Sequence, residues 1–236
     1  MVPVINWVLD CDGVLLNSNA VKTEAFRAVA SSYGPQVAED VVEHHLSHGG
    51  SSRYEKLARL FDEVLCRPAM DGEMDRLLSE FAAACRLGLT SVEIDPSFEL
   101  LAGTVMANHG TLRILSGGDE GEIRTALAAK GVEHYFAEVL GSPRPKPEHL
   151  AGLVARLGVA NLVYLGDSRL DMEMCLDLGV SAVFVAHWSE FENWRSFLSD
   201  HPEILKVDDL GDLLRLSPGR HRDGCHALWS WFGSAS

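Results

Sequence analysis

Several short stretches of this chain carry side chains whose types and spacing could do chemistry, and the first is Asp10-Cys11-Asp12-Gly13. In an extended chain, residues two apart share a face, so Asp10 and Asp12 present their carboxylates together while Cys11 points the other way. Two carboxylates ~5 Å apart at an effective dielectric of ~20 repel by roughly 3 kcal/mol. Acids gathered in this way need a cation, or one of them must hold a proton. An all-oxygen ligand set suits a hard ion, and magnesium is the usual one where phosphate is handled. A polar turn closing a strand accounts for the same four residues, with Gly13 allowing the chain to bend sharply.

Three further stretches belong with it. Ser116-Gly117-Gly118 offers a hydroxyl and free backbone amides ahead of a helix, a nest that fits phosphate oxygens, or else a plain turn. Arg144-Pro145-Lys146-Pro147 offers a point charge for phosphoryl oxygens. Lys146 is preferred because Pro147 then opens a helix with the lysine at its boundary, although Arg144 could fill the same role. Gly166-Asp167-Ser168-Arg169-Leu170-Asp171 places two acids four apart across a turn. One could ligate a metal and the other orient its waters, while a helix cap at Asp167 or Ser168 explains the stretch equally well.

The elements that must position these residues are legible as a repeating pattern. Runs at Val4–Leu9, Thr111–Leu115, Leu162–Leu165 and Ser181–Ala186 are short, apolar and rich in β-branched residues. They read as strands buried on both faces. Between them lie helical stretches at Glu120–Lys130, Pro147–Leu157 and Leu170–Leu178, each closed by a glycine. Strands alternating with helices predict an α/β fold, a doubly wound parallel sheet. Ligands bind at the C-terminal ends of such strands, which is where Asp10, Asp12, Ser116, Asp167 and Asp171 fall. From Asn19 to Gly88 the rhythm breaks. Amphipathic runs at Val21–Ser32, Arg53–Leu65 and Met74–Leu87, with no strand among them, predict an inserted all-helical domain. The division expected is a core of residues 1–16 and 97–216, a helical insertion of residues 17–96, and a loosely held tail over 217–236. His221, Cys225 and His226 in that tail lack a fourth partner for a metal clip.

Composition narrows the partners. The formal net charge of -14 disfavours nucleic acid, because such a surface repels a phosphate backbone. It leaves a small anion possible where local cations reverse the field. Five scattered cysteines with no CxxC pair suggest neither a disulfide framework nor a zinc site. No apolar run is long enough to span a membrane, and the acidic motif at residue 10 leaves little room for a signal peptide. The expectation is a cytoplasmic protein, a monomer or homodimer, with no nucleic-acid or membrane partner.

In order and spacing, these motifs resemble those of the haloacid dehalogenase superfamily. The likeness is to its subclass with a helical cap inserted after the first motif, and within that to β-phosphoglucomutase- and phosphoglycolate phosphatase-like members. It covers residues 4 to 187. It implies a Rossmann-like core, a Mg2+ cofactor, and Asp10 as a nucleophile that forms an aspartyl-phosphate. Asp12 would protonate the leaving oxygen and then activate water. Ser116, the Gly117 amide and Lys146 would hold the transferring phosphoryl group. Asp10, Asp12 (through its backbone carbonyl) and Asp167 would hold the metal, with Asp171 beside them. Because an alkoxide needs a proton on leaving and a halide does not, the second aspartate favours a phosphatase over a dehalogenase. Cys11 and Met174-Cys175 depart from the residues usual in the family.

The helical insertion carries His48-Gly49-Gly50-Ser51-Ser52-Arg53, which resembles the Gly-x-Ser-Arg element of such caps. Arg53 would then bind the substrate far from the reacting phosphate, or Ser51 or Ser52 merely caps a helix and Arg53 is solvated. Asn17 and Ser18 are expected to begin the hinge and line the entrance, and His44, His45 and His48 to lie on the surface of the cap. The resemblance implies magnesium-dependent hydrolysis of a small phosphorylated metabolite, a sugar phosphate or similar polyol phosphate. A phosphomutase using the same residues, and a catalytically silent binding protein on the same fold, are the alternatives.

Overall fold

The computed structural model describes residues 4–89 and 91–216, so the tail, with His221, Cys225 and His226, lies outside the described residues. Six strands form one parallel sheet: β1 (Asn6–Leu9), β2 (Thr111–Asp119), β3 (Phe136–Ser142), β4 (Leu162–Gly166), β5 (Ser181–Val185) and β6 (Leu205–Val207). Their order in space is β3-β2-β1-β4-β5-β6. The chain winds outward from β1 in one direction and, from β4, in the other, which leaves a crevice at the C-terminal ends of β1 and β4.

Every residue of β1 is buried, and its side chains alternate between the two faces of the sheet. Trp7 and Leu9 join the apolar cluster on one face and Val8 the cluster on the other. β3 and β6 are not apparent as apolar runs, for a physical reason. They are the two edges of the sheet, where one side faces solvent and a continuous apolar stretch is unnecessary. β3 accordingly carries an exposed Ala137 and a half-buried Glu138 that pairs with Arg156. β2 also runs past its expected end, with a register irregularity between Leu115 and Asp119 that lets Ser116–Gly118 bulge toward the crevice.

Between β1 and the next core helix the chain forms α1 (Asn19–Ala30), α2 (Pro35–Ser47), α3 (Arg53–Arg59) and α4 (Glu73–Leu89), with α3 continuing into a short π-helical turn over Leu60–Val64. These helices bury an apolar cluster of their own, centred on Phe26, Val29, Leu57, Leu60, Leu77 and Phe81. The two strands of chain that join them to the sheet lie side by side. Leu16 pairs with Ile94, the Asn17 amide donates to Glu93 (3.0 Å), and the Asp95 amide donates to Leu15 (2.9 Å).

The sheet is covered on one face by α5 (Phe98–Ala107), α6 (Glu120–Ala129) and later α10 (Leu210–Arg215). On the other face lie α7 (Lys146–Leu157), α8 (Arg169–Leu178) and α9 (Trp194–Asp200). Among the described residues no helix is long and apolar enough to cross a membrane. Cys11, Cys85 and Cys175 are buried thiols and Cys66 an exposed one.

Candidate active site

Asp10 is the first residue beyond β1, and its amide donates to Leu165 of β4 (2.8 Å), so the pairing of the two central strands sets its position. Its Oδ1 accepts from the Cys11 amide (2.6 Å) and its Oδ2 from Lys146 Nζ (2.7 Å). Lys146, the first residue of α7, also donates to Asp171 Oδ1 at 2.7 Å. Arg144 instead lies at the surface, bonded to Glu148. The lysine is therefore the group that reaches the acids.

Asp171 is completely buried in the first turn of α8. Tyr164 donates to its Oδ1 (2.9 Å), and the Ser168 hydroxyl and amide donate to its Oδ2 (2.6 and 3.1 Å). Ser168 is the helix cap, and the reciprocal Ser168–Asp171 bonds form a capping box. The stretch thus serves both as a cap and as part of the acidic centre. Asp167 Oδ2 accepts from Asn19 Nδ2 (2.8 Å), a contact between the core and α1. Gly13, with φ of +78°, passes so close that a Cβ there would lie 2.1 Å from that same oxygen, so a glycine is required.

Oxygens of Asp10, Asp167 and Asp171 all lie within 4.8 Å of one another. Burial pushes the Asp10 carboxyl up to about 7, aided by the charges of Asp171 and Asp12 and opposed by Lys146. Burial, then the charges of Asp10 and Asp171, hold Asp167 well above the usual carboxylate range. The Lys146 ammonium is desolvated too, yet its two carboxylate partners raise its proton affinity. Three carboxylates against one ammonium leave an excess of negative charge lined only by oxygen. That is the donor set of a hard dication, so the residues fit magnesium. Asp10 and Asp167 are the members with lone pairs to offer it, because each oxygen of Asp171 already accepts two hydrogen bonds whereas each oxygen of Asp10 accepts one.

Asp12 stands apart from this cluster. The turn at Gly13 carries its side chain to Ser18, which donates to Oδ1 (2.5 Å), and to Lys22, which donates to Oδ2 (3.1 Å). Ser116 Oγ donates to Oδ2 as well, at 3.3 Å. Burial works against ionisation, but Lys22 and Ser18 outweigh it and hold Asp12 below the ordinary carboxylate range. The side-by-side arrangement expected of Asp10 and Asp12 becomes a division into two electrostatic environments.

These groups border a cavity of about 70 Å³ between the sheet edge and the helical unit, lined by Asp10, Asp12, Asp167, Gly117, Lys22 and Arg53 among others. Ser116 and Lys146 sit just behind its wall, 1% and 2% exposed. Ser116 Oγ accepts from the Gly118 amide (3.0 Å). Gly117 lies directly beneath the loop before α3, where a Cβ would come within 2.2 Å of the Gly50 carbonyl oxygen. A Cβ on Gly50, in turn, would come within 2.6 Å of Ser168 Oγ.

Arg53 follows Ser52, whose hydroxyl caps α3 by accepting from the Glu55 amide. Its guanidinium is buried, not solvated, and donates to both oxygens of Glu122 on α6 (2.9 and 2.5 Å) while stacking over Phe81 at 4.6 Å. Neither Asn17 nor Ser18 lines the cavity; Asn19, the next residue along, does. His45 also departs from expectation, being buried in the wall and not at the surface.

Lys22, Lys56 and Glu190 are among the lining residues that went unrecognised in the sequence. The available signal was helical periodicity. Lys22 shares a face of α1 with buried Phe26, and Lys56 shares one of α3 with buried Leu60, each four residues on.

Residues 7–185 match the family model described as haloacid dehalogenase-like hydrolase. The chain belongs to that family. No curated protein matches the hydrolase, but solved structures share its fold. They include a β-phosphoglucomutase from Clostridium difficile (18% identity, covering 89% of this chain and 93% of that one, TM-score 0.69). A predicted phosphoglycolate phosphatase from Haemophilus somnus gives 18% identity, 90% and 97% coverage and a TM-score of 0.69. A hydrolase from Pseudomonas syringae gives 17%, 89% and 96%, and 0.73. At these identities the likeness is one of fold, and it extends across most of the hydrolase, helical unit included.

Proposed function

We propose that this hydrolase is a magnesium-dependent phosphatase that cleaves a small phosphate monoester, such as a sugar phosphate, through an aspartyl-phosphate. The observation that carries the reading is the opposed pair at the end of β1. Asp10 sits in a buried acidic cluster beside Lys146, and Asp12, two residues on, is held by Lys22 and Ser18.

In this reading an Asp10 oxygen bonds to phosphorus as the ester P–O bond breaks; Asp12, ionised while Lys22 and Ser18 hold it, takes up a solvent proton when a substrate anion draws Lys22 away and gives that proton to the departing alkoxide. Asp12 then takes a proton from water as that water attacks phosphorus, releasing phosphate and restoring the Asp10 carboxylate. Splitting the reaction helps because phosphate monoesters hydrolyse extremely slowly unaided. Lys146, Ser116 and the Gly117 amide hold the phosphoryl oxygens. Asp10, Asp167 and the Asp12 carbonyl would bind the magnesium ion, which supplies neutralising charge at those oxygens. Asp171 keeps Lys146 in place.

The α1–α4 unit, residues 17–96, acts as a cap on the paired joint at Leu15–Asn17 and Glu93–Asp95, excluding water from the reacting groups when closed. The reduced thiols accord with a cytoplasmic setting.

The test is magnesium-dependent phosphate release from p-nitrophenyl phosphate and a panel of sugar phosphates. Asp10→Asn is expected to lower kcat by at least ~1000-fold, the general scale of losing a covalent nucleophile. An inert wild type, or full turnover by Asp10→Asn, would overturn the assignment. An isomerised sugar phosphate formed only with a bisphosphate activator would replace hydrolysis by mutase chemistry.

A further inference from the structure

The cavity holds a cation that the proposed chemistry does not use. Lys22 is paired with Asp12, Arg53 with Glu122, and Lys146 with Asp10 and Asp171. Lys56 on α3 is 3% exposed, and its only hydrogen-bond partner among the described residues is His45 of α2, with Nζ 2.7 Å from Nδ1. A buried ammonium without a carboxylate is costly, and this site does not remove that cost. Burial, and then the like charges of Lys22 and Lys146, press the proton affinity of Lys56 down to about 7.

The histidine is incomplete in the same sense. As an ammonium Lys56 can only donate, so His45 Nδ1 accepts and the ring proton sits on Nε2. That atom is buried and has no hydrogen-bond partner among the described residues. Phe26 packs against both groups, its ring centroid 4.6 Å from the imidazole's and 5.4 Å from Nζ, and Phe26, His45 and Lys56 all line the cavity. Two cavity carboxylates act on Lys56 through space, Asp12 and then Glu190, but Asp12 is bonded to Lys22 and Ser18, Glu190 accepts from Thr23 of α1, and neither forms an ion pair with Lys56 among the described residues. The wall therefore presents an ammonium with no carboxylate partner and an imidazole N–H with no acceptor among the described residues.

We propose that Lys56 and His45 form a recognition site for a second anionic oxygen group on the substrate, a carboxylate or a second phosphate, remote from the phosphate being cut. This rests on the phosphatase reading of the same cavity and assigns its substrate class: phosphate monoesters that carry another anion. Arg53, already held by Glu122 across the cap–core boundary, is a closure contact, and discrimination among substrates belongs to the Lys56–His45 pair. An anion there would supply the counter-charge that Lys56 lacks and the acceptor that His45 Nε2 lacks.

The experiment compares matched substrates by kcat/KM: 2-phosphoglycolate against ethyl phosphate for a carboxylate, and glucose 1,6-bisphosphate against glucose 6-phosphate for a second phosphate. The same ligands are titrated calorimetrically into magnesium-loaded Asp10→Asn. Wild type is expected to prefer the anionic member of at least one pair by ~10-fold or more, and the preferred pair identifies the group. Lys56→Met should bring that ratio to within ~2-fold of unity, while Lys56→Arg retains most of it. If Lys56→Met fails to fold, His45→Leu, which keeps the lysine, should lower the same ratio by at least ~3-fold. No preference in wild type for either pair, or an unchanged ratio in the folded variant, overturns the proposal. A preference in binding with no turnover of any phosphate would refute the phosphatase reading and leave the recognition site standing.

Discussion

Lys56 illustrates how much a single side chain depends on what surrounds it. An exposed lysine on a helix is neutral toward stability, whereas this one is buried against Phe26 and His45 and its proton affinity falls from 10.5 to about 7. The sign of the linkage follows. The unfolded chain takes up the lysine proton as pH drops through 10.5, and the folded chain does so only near 7. The cost to folding is therefore absent above about pH 10.5, grows as pH falls, and is complete below about 7, on the order of 5 kcal/mol. Lys56→Met should melt several degrees higher than wild type at pH 7, and this gain should shrink toward zero by pH 10.5. Melting curves at the two pH values check it, and an equal difference at both would contradict the burial argument. A residue that lowers stability while facing a cavity fits the general exchange of stability for function.

At the scale of elements, the α1–α4 unit meets the core through contacts made by a few residues. The loop before α3 reaches over Gly117, and α3 is tied to α6 through Arg53 and Glu122. Gly117→Ala would place a Cβ 2.2 Å from the Gly50 carbonyl oxygen, a contact that can be relieved only by moving the loop away. The expected result is a fall in kcat/KM of ~100-fold or more with a melting temperature within ~3 °C of wild type, because each apolar core stays intact. Hydrogen exchange should then show faster exchange over residues 48–53. Unchanged kinetics would mean that closure does not require this approach. Element boundaries also mark where the sequence was legible. The central strands appear as apolar runs because both of their faces are covered. Edge strands β3 and β6 do not, because solvent covers one side. Helix α2 was not singled out, its apolar face being narrow: Ala38, Val41, Val42 and His45.

At the scale of the whole molecule, a chain of net charge -14 concentrates three acids at one point and sets Lys22, Arg53 and Lys56 in the wall of the cavity that Asp10 and Asp167 also line. A magnesium ion that binds only the folded cluster should stabilise it by about 2.7 kcal/mol at a hundredfold excess over Kd, a rise of roughly 5–10 °C in Tm. EDTA should reverse the rise and Asp167→Asn should remove most of it, whatever the activity. A Tm insensitive to magnesium would argue against the metal assignment. The sequence by itself determined the doubly wound sheet, since alternating apolar runs and glycine-closed helices have few other packings. It also determined which acids and serine stand at its carboxyl edge, because strand ends are local features. Only the tertiary structure decided that Lys146, not Arg144, reaches Asp10, since that depends on where α7 begins relative to the crevice. It likewise decided that Asp12 leaves the acidic cluster for Lys22, and that Arg53 is held by Glu122 while Lys56 meets His45 and no carboxylate among the described residues. These are contacts between residues far apart in the chain or on separate helices, set by how the helical unit lies on the sheet, and no periodicity or spacing encodes them.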